Sequence, residues 1–184
     1  TQKNQMDSFF AGNETFDSKG QKVIEFYFRD NGKLYCRKER DTINPPSVLR
    51  NIATTKQGSA LLKDMFEGEV VFDFSKPIKL ITFLLSLRPK ESTILDFFAG
   101  SATTADAVMQ LNAEDGGNRK YILCTLDEQV ADKSAAKEAG YETIDQISRE
   151  RIRRAAKKIQ EEHPETVGKQ DYGFRAYKLS FSSV

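Results

Sequence analysis

Residues 94–108 read "ILDFFAGSATTADAV". An apolar run reaches Asp96, a turn of small residues follows from Ala99 to Ala102, and a helix is expected from about Thr103 to Leu111. Downstream, Asp115-Gly116-Gly117-Asn118 has turn chemistry, and "YILCTL" (Tyr121–Leu126) is a second apolar, β-prone run. Strand, helix and strand in that order predict a β-α-β unit, with parallel strands and a right-handed crossover. The first strand reads as one buried on both faces. Sheets of this kind bind ligands at the C-terminal ends of their strands, where the turn offers backbone N–H groups and a helix N-terminus.

The residues of the turn narrow the ligand. A triphosphate-gripping loop needs a lysine followed by Ser or Thr, and "GSATTADA" contains no lysine. A dinucleotide fingerprint needs Gly-x-Gly-x-x-Gly, whereas Gly100 is followed at those places by Ala102 and Ala105. Asp96 stands among Ile94, Leu95, Phe97 and Phe98, where a carboxylate without a partner is costly to bury. S-Adenosylmethionine offers such a partner, because its ammonium group can donate to a carboxylate directly or through water. Ala99, Gly100 and Ser101 are small enough to let that ligand lie against the backbone. A tight turn with no ligand is the plain alternative.

Outward from the turn, "EVVFDFSKPIKLITFLLSLRPKES" (residues 69–92) predicts a short strand and then a helix. Ile78, Ile81, Leu84 and Leu85 share one face of that helix, Ser75 is its expected cap, Pro77 suits its first turn and Pro89 stops it. "VIEFYFRDNGKLY" (residues 23–35) places two β-prone runs around Asn31-Gly32, a hairpin signal. Between these, residues 40–66 read as a connector with a short helical end from Ala60 to Phe66. A helix is predicted from about Thr143 to Glu162, with Ile144, Ile147, Ile152, Ala155 and Ile159 on one side. Arg149, Arg151, Arg153, Arg154, Lys157 and Lys158 colour the other side, as a solvated face or a phosphate-contacting stripe. "DYGFRAYKLSF" alternates Arg175, Tyr177, Leu179 and Phe181 and suggests a last strand.

Composition removes whole classes of function. The 184 residues suffice for one domain or for a piece of something larger, and 28 basic against 27 acidic residues leave no global charge signature. No apolar run of about 18 residues exists and the N-terminus lacks a signal-peptide core, so neither a membrane nor an export route is expected. Cys36 and Cys124 have no Cys-x-x-Cys spacing, which argues against a disulfide framework or a zinc site and suits a reducing, cytoplasmic location. His163 is the only histidine and reads as a surface residue. Without a second histidine or a paired cysteine, serine- or cysteine-triad chemistry and histidine-based metal hydrolysis have almost no residues to use, and no metal is expected.

"LDFFAGSATTADAV" resembles the cofactor-binding motif of amino-methylating DNA methyltransferases, Asp-x-Phe-x-Gly-Ser-Gly-Thr-Thr. Asp96, Phe98, Gly100, Ser101, Thr103 and Thr104 match it. Ala102 replaces the second glycine, a change tolerable where the local φ is not positive. "FDFSKPIKLI" resembles the companion motif Phe-x-x-Pro-Lys-Pro, with Phe72, Lys76 and Pro77 matching and Ser75 in place of the first proline. In that family this segment closes over the methionine end of the cofactor. The order of the two motifs implies the permuted class, whose catalytic motif comes earlier. "MQLNAEDGGNRKYILCTLDE", "ERIRRAAKKI" and "DYGFRAYKL" are similar to the modification subunit of type III restriction-modification systems, which methylates adenine at its exocyclic nitrogen. The resemblance covers residues 55–181.

It implies an α/β fold, a partial Rossmann-like S-adenosylmethionine-dependent methyltransferase sheet with an N-terminal β-hairpin extension. Residues 1–68 would be the tail of a target-recognition region and a connector, 69–163 the cofactor-binding part, and 164–184 a C-terminal strand and tail. The implied cofactor contacts are Phe72, Ser75, Lys76, Pro77, Asp96, Phe98, Ala99, Gly100, Ser101 and Thr103. For the ribose, the neighbourhood of Thr125, Asp127 and Glu128 offers candidates without a clear alignment. Implied partners are double-stranded DNA for the full-length protein, a second copy and a restriction subunit.

The acceptor motif of this chemistry, Asp-Pro-Pro-Tyr or close kin, is absent from the sequence. Asn44-Pro45-Pro46-Ser47 lacks the aromatic ring that stacks on a flipped base, and only about 25 residues separate it from Phe72. It reads as a connector, and no catalytic residue is expected in this chain, which would then be the C-terminal part of a methyltransferase. Arg29, Lys33, Arg37, Lys38 and Arg40 around Tyr27 and Tyr35 suit contact with a DNA backbone, or simply solvent. Two competitors are a non-catalytic interaction module that keeps the sheet without the cofactor, and a dinucleotide-dependent oxidoreductase fragment.

Overall fold

A computed structural model describes residues 2–39 and 45–179. The chain divides into two compact units, Thr1–Leu49 and Arg50–Val184. Arg40, Asn44 and Phe181 lie outside the described residues.

The first unit holds helix α1 (Gln2–Phe10) and strands β1 (Val23–Phe28) and β2 (Leu34–Lys38), which pair antiparallel with Tyr27 opposite Tyr35 and Phe28 opposite Leu34. The turn closes with the Gly32 N–H donating to Arg29 O at 2.8 Å, and Gly32 takes a positive φ of 69°. Glycine is the residue that reaches this conformation without a steric cost, which explains the Asn-Gly signal. Phe9 and Phe10 of α1 pack on Phe26, with ring centroids 5.2 and 6.0 Å away.

The second unit holds α2 (Thr55–Met65), α3 (Ile78–Ser86), β3 (Thr93–Asp96), α4 (Thr103–Asp115), β4 (Lys120–Leu123), α5 (Ala135–Glu138) and α6 (Ile144–Glu162). β3 and β4 are parallel, Thr93 facing Lys120 and Asp96 facing Leu123, so the expected β-α-β unit is present. Its helix α4 runs four residues past Leu111 to Asp115 and stops at Gly116, whose φ of 67° ends it in the left-handed conformation. α4 is buried along almost its whole length. Ala105 and Met109 meet Ile152, Ala155, Ala156 and Ile159 of α6, and Ala107, Val108 and Leu111 meet Ile78 and Leu85 of α3. Small side chains on α4 let both helices approach it, and the site is therefore built around α4.

Several expectations need correction. β3 is not buried on both faces: Leu95 is 50% exposed and its neighbour Ile122 on β4 is 53% exposed. No strand forms over residues 69–74: Glu67 and Gly68, just before the segment, and Phe74, at its end, all take positive φ and turn the chain on either side. Ser75 does not cap α3. Pro77 occupies the N-cap position with no side-chain bond, and Ser75 is turned into the interior. Residues 171–179 form no strand, since among the described residues the alternating run finds no strand to pair with, and Leu179 is 99% exposed. α2 begins at Thr55, earlier than Ala60, because Thr54 and Gln57 form a reciprocal capping box. No helix among the described residues is long and apolar enough to cross a membrane.

Gly58 of α2 lies directly against the segment that precedes α3. A Cβ built there would lie 2.7 Å from Lys76 C and 2.8 Å from Pro77 N, and closer still to Ser75 O, so the backbone of residues 75–77 is pressed onto the helix. Gly58→Ala gains about 1 kcal/mol of helix propensity, but overpacking against backbone costs about 1–3 kcal/mol. The expected net result is a lower urea midpoint. A higher midpoint would show that residues 75–77 are free to move away.

Candidate functional site

The turn between β3 and α4 sits where the parallel pair ends. Cys124 N–H donates to Asp96 O at 2.8 Å and Ala99 N–H donates to Cys124 O at 3.1 Å, so the sheet pairing continues into the turn. Asp96 has partners of its own, contrary to the expectation of a carboxylate without one in the chain. Phe98 N–H donates to its Oδ1 at 3.0 Å and the Thr104 hydroxyl donates to its Oδ2 at 2.6 Å. A carboxylate has about four acceptor positions, so these two bonds orient the group and leave the rest of its capacity available.

Gly100 and Ala102 both take positive φ, 49° and 59°. The condition attached to Ala102 is thus not met: this alanine occupies the left-handed conformation that the resembled motif assigns to glycine. It is completely buried in the cluster with Ala105 and Ile152, and that packing offsets a backbone cost of about 1–2 kcal/mol. At Gly100 a Cβ would come within 3.4 Å of Phe72 Cζ, which places the Phe72 ring against the turn.

Ser75, Ser101 and Thr103 converge inside the protein. Ser75 Oγ lies 3.1 Å from Ser101 Oγ and 3.5 Å from Thr103 Oγ1, so residues from the two motifs, 26 and 28 positions apart, meet directly. What joins them is Arg151 of α6. Its Nη1 donates to Thr103 Oγ1 at 2.8 Å, Ser75 Oγ at 3.0 Å, Ser101 Oγ at 3.1 Å and Ser101 O at 3.3 Å. Its Nη2 and Nε donate to Asp106 Oδ2 at 3.0 and 3.2 Å. The Arg151 and Asp106 side chains are 0% and 1% exposed. Burial pushes the Asp106 carboxyl up and the Arg151 guanidinium down, and each is opposed by the charge of the other. One turn earlier on α6, the Ser148 hydroxyl donates to Gly100 O.

The expected place of Arg151 on the basic outer face of α6 is wrong. It stands four residues after Ile147 and four before Ala155, within the helical stripe that is buried. A charged residue at that register, with Asp106 among the small residues of α4, is the sequence signal that identifies the pair. Arg149, Arg153, Arg154, Lys157 and Lys158 do lie on less buried positions, each within reach of an acidic neighbour on the helix.

The other candidates are more dispersed. Pro77 and Ala99 are buried, Lys76 is exposed, and Phe98 is 92% exposed beside the turn. Thr125 and Asp127 are exposed, with Asp127 accepting from Lys178 Nζ at 2.8 Å. Among the described residues no group of three or more His, Cys, Asp or Glu could hold a metal ion.

Residues 9–159 match the family model described as DNA methylase. The chain is 49% identical over 165 residues to the type III restriction-modification enzyme StyLTI Mod subunit of Salmonella typhimurium, across 85% of this chain and 24% of that protein. It is 38% identical to the EcoPI Mod subunit of Escherichia phage P1, across 69% of this chain and 19% of that protein. With the EcoP15I Mod subunit of Escherichia coli the identity is 33%, across 89% and 23%. The chain therefore spans less than a quarter of the length of the curated relatives it matches. A match of this extent, on a chain whose two resembled motifs meet in space, has one conclusion: the chain belongs to the DNA methylase family, with its similarity running to the Mod subunits of type III restriction-modification systems.

Proposed function

We propose that this chain is the S-adenosylmethionine-binding portion of a site-specific DNA adenine N6-methyltransferase, with a Rossmann-like sheet of which β3 and β4 are a part. The observation that carries the reading is the meeting of residues 72–77 with the turn Asp96–Thr103 at the C-terminal end of β3. The residues fit the ligand chemically. Asp96 is oriented by two donors yet has acceptor capacity left for an ammonium group, and the turn beside it is made of small residues, with Gly100 partly exposed between the buried Ala99 and Ser101. Phe98, almost fully exposed, offers an aromatic face at the same end. Lys76 and Pro77 would lie at the methionine end, and Thr125 or Asp127 beyond β4 would reach the ribose. Calorimetry with S-adenosylmethionine, S-adenosylhomocysteine and NAD tests this. Binding of the first two with none of NAD supports it; binding of NAD alone favours a dinucleotide enzyme, and binding of none favours an interaction module.

S-Adenosylmethionine supplies an activated methyl group, but adenine N6 is a poor nucleophile until its hydrogens are engaged and the base is held flipped. The residues that do this belong to an acceptor motif this sequence lacks. Incubated with adenine-rich duplex and labelled cofactor, the chain is expected to transfer no methyl above background. Transfer that disappears in Asn44→Ala would make Asn44-Pro45-Pro46-Ser47 the active site instead.

The β1–β2 hairpin would be the tail of the recognition region. Tyr27 and Tyr35 stack with centroids 6.0 Å apart, Arg29 lies 4.3 Å over Tyr35, and Arg37 is paired with Glu25 at 3.0 Å. Arg29 and Lys33 are the cations offered to phosphate. Replacing both with alanine should lower the slope of log affinity for duplex DNA against log salt by about 2. An unchanged slope would return the hairpin to a solvated role. Pairing with a second copy and with a restriction subunit completes the proposal for the full-length protein.

A further inference from the structure

We infer that Arg151 is a positioning residue: from within the core its guanidinium locks residues 75–77 and the turn 100–103 into one arrangement, and so sets the affinity for the amino-acid end of the ligand. This rests on the proposed binding of S-adenosylmethionine. Nη1 alone touches Ser75, Ser101 and Thr103, while the opposite edge of the same planar group is held by Asp106 of α4. The bond from Ser148 to Gly100 O adds a second grip from α6 on the turn, and Gly58 of α2 presses residues 75–77 inward from their other contact. Arginine is required because its donors point along two edges of a rigid fork; lysine reaches Asp106 or the hydroxyls as a single point, and cannot hold both. The site thus depends on a residue that is itself fully buried and cannot meet the ligand.

The distinguishing readout is selectivity. S-Adenosylhomocysteine carries the amino-acid end and methylthioadenosine lacks it. In the 184-residue chain, Arg151→Lys should weaken S-adenosylhomocysteine binding at least ~10-fold in calorimetry and change methylthioadenosine binding less than ~2-fold. Ser75→Ala, which keeps the Arg151–Asp106 pair, should shift the ratio in the same direction. Amide exchange of Gly100–Thr103 should accelerate in Arg151→Lys while the amides of α3 and of the β3–β4 pair, in the same unit, stay unchanged, showing a folded unit with a loosened turn. Parallel losses for both ligands, which a merely structural role would give, would overturn the inference, as would unchanged affinity for both. A wild-type chain that binds neither ligand would instead overturn the proposed cofactor binding, and this inference with it.

Discussion

Arg151→Met is expected to cost about 3–5 kcal/mol of unfolding free energy. The substitution keeps the length and much of the volume of the side chain, so the loss is electrostatic and polar. Asp106, 1% exposed, would be left without its counter-charge, and Ser75, Ser101 and Thr103 would lose their shared donor. A domain of this size is stable by about 5–15 kcal/mol, so the variant should unfold at a much lower urea concentration with an unchanged slope. The same physics predicts partial recovery in Arg151→Met/Asp106→Leu, because an apolar pair in place of a buried ion pair is often neutral or better. The cost in the single variant arises from orphaning Asp106, and a loss below about 1 kcal/mol would show that the pair is solvated.

For Asp96 the expected effect falls on binding. Asp96→Ala should lower affinity for S-adenosylhomocysteine at least ~100-fold, about 2.7 kcal/mol. Its effect on the fold should be smaller, since only the bonds from Phe98 N–H and the Thr104 hydroxyl are lost at a half-exposed position. Asp96→Asn separates the two roles. The amide oxygen can still accept from Phe98 N–H, and the Thr104 hydroxyl can turn to accept from the amide NH2, but the negative charge is gone, and neutral acceptors hold an ammonium group far less strongly. Asn should therefore fold like wild type and bind at least ~10-fold more weakly. Wild-type affinity in Asp96→Asn would mean that Asp96 serves only the turn.

Local pattern makes some of this legible in the sequence. Strand, small-residue turn, helix and strand around Asp96 are specified within about 30 residues, as are the hairpin around Gly32 and the stop of α4 at Gly116. The two motifs are also visible as strings. Their junction is not, because it depends on Ser75 turning inward where a helix cap is expected, and on Pro77 taking the N-cap position instead. The strands expected at 69–74 and 171–181 illustrate a different gap. Alternation describes a chain that can pair, and pairing needs a neighbour and permissive dihedrals; the first segment is instead bounded by residues of positive φ, Glu67 and Gly68 before it and Phe74 at its end. Charge alone misplaces Arg151. Its spacing from Ile147 and Ala155 carries the right answer, and a buried guanidinium needs a buried carboxylate, which Asp106 is.

If the β3–α4 turn and residues 72–77 form one binding site for S-adenosylmethionine, the backbone amide shifts of the chain will report it during titration with S-adenosylhomocysteine. Saturable changes should concentrate at residues 72–76 and 96–104, with the β1–β2 hairpin silent. Changes confined to other segments, or none at millimolar ligand, would contradict a shared site.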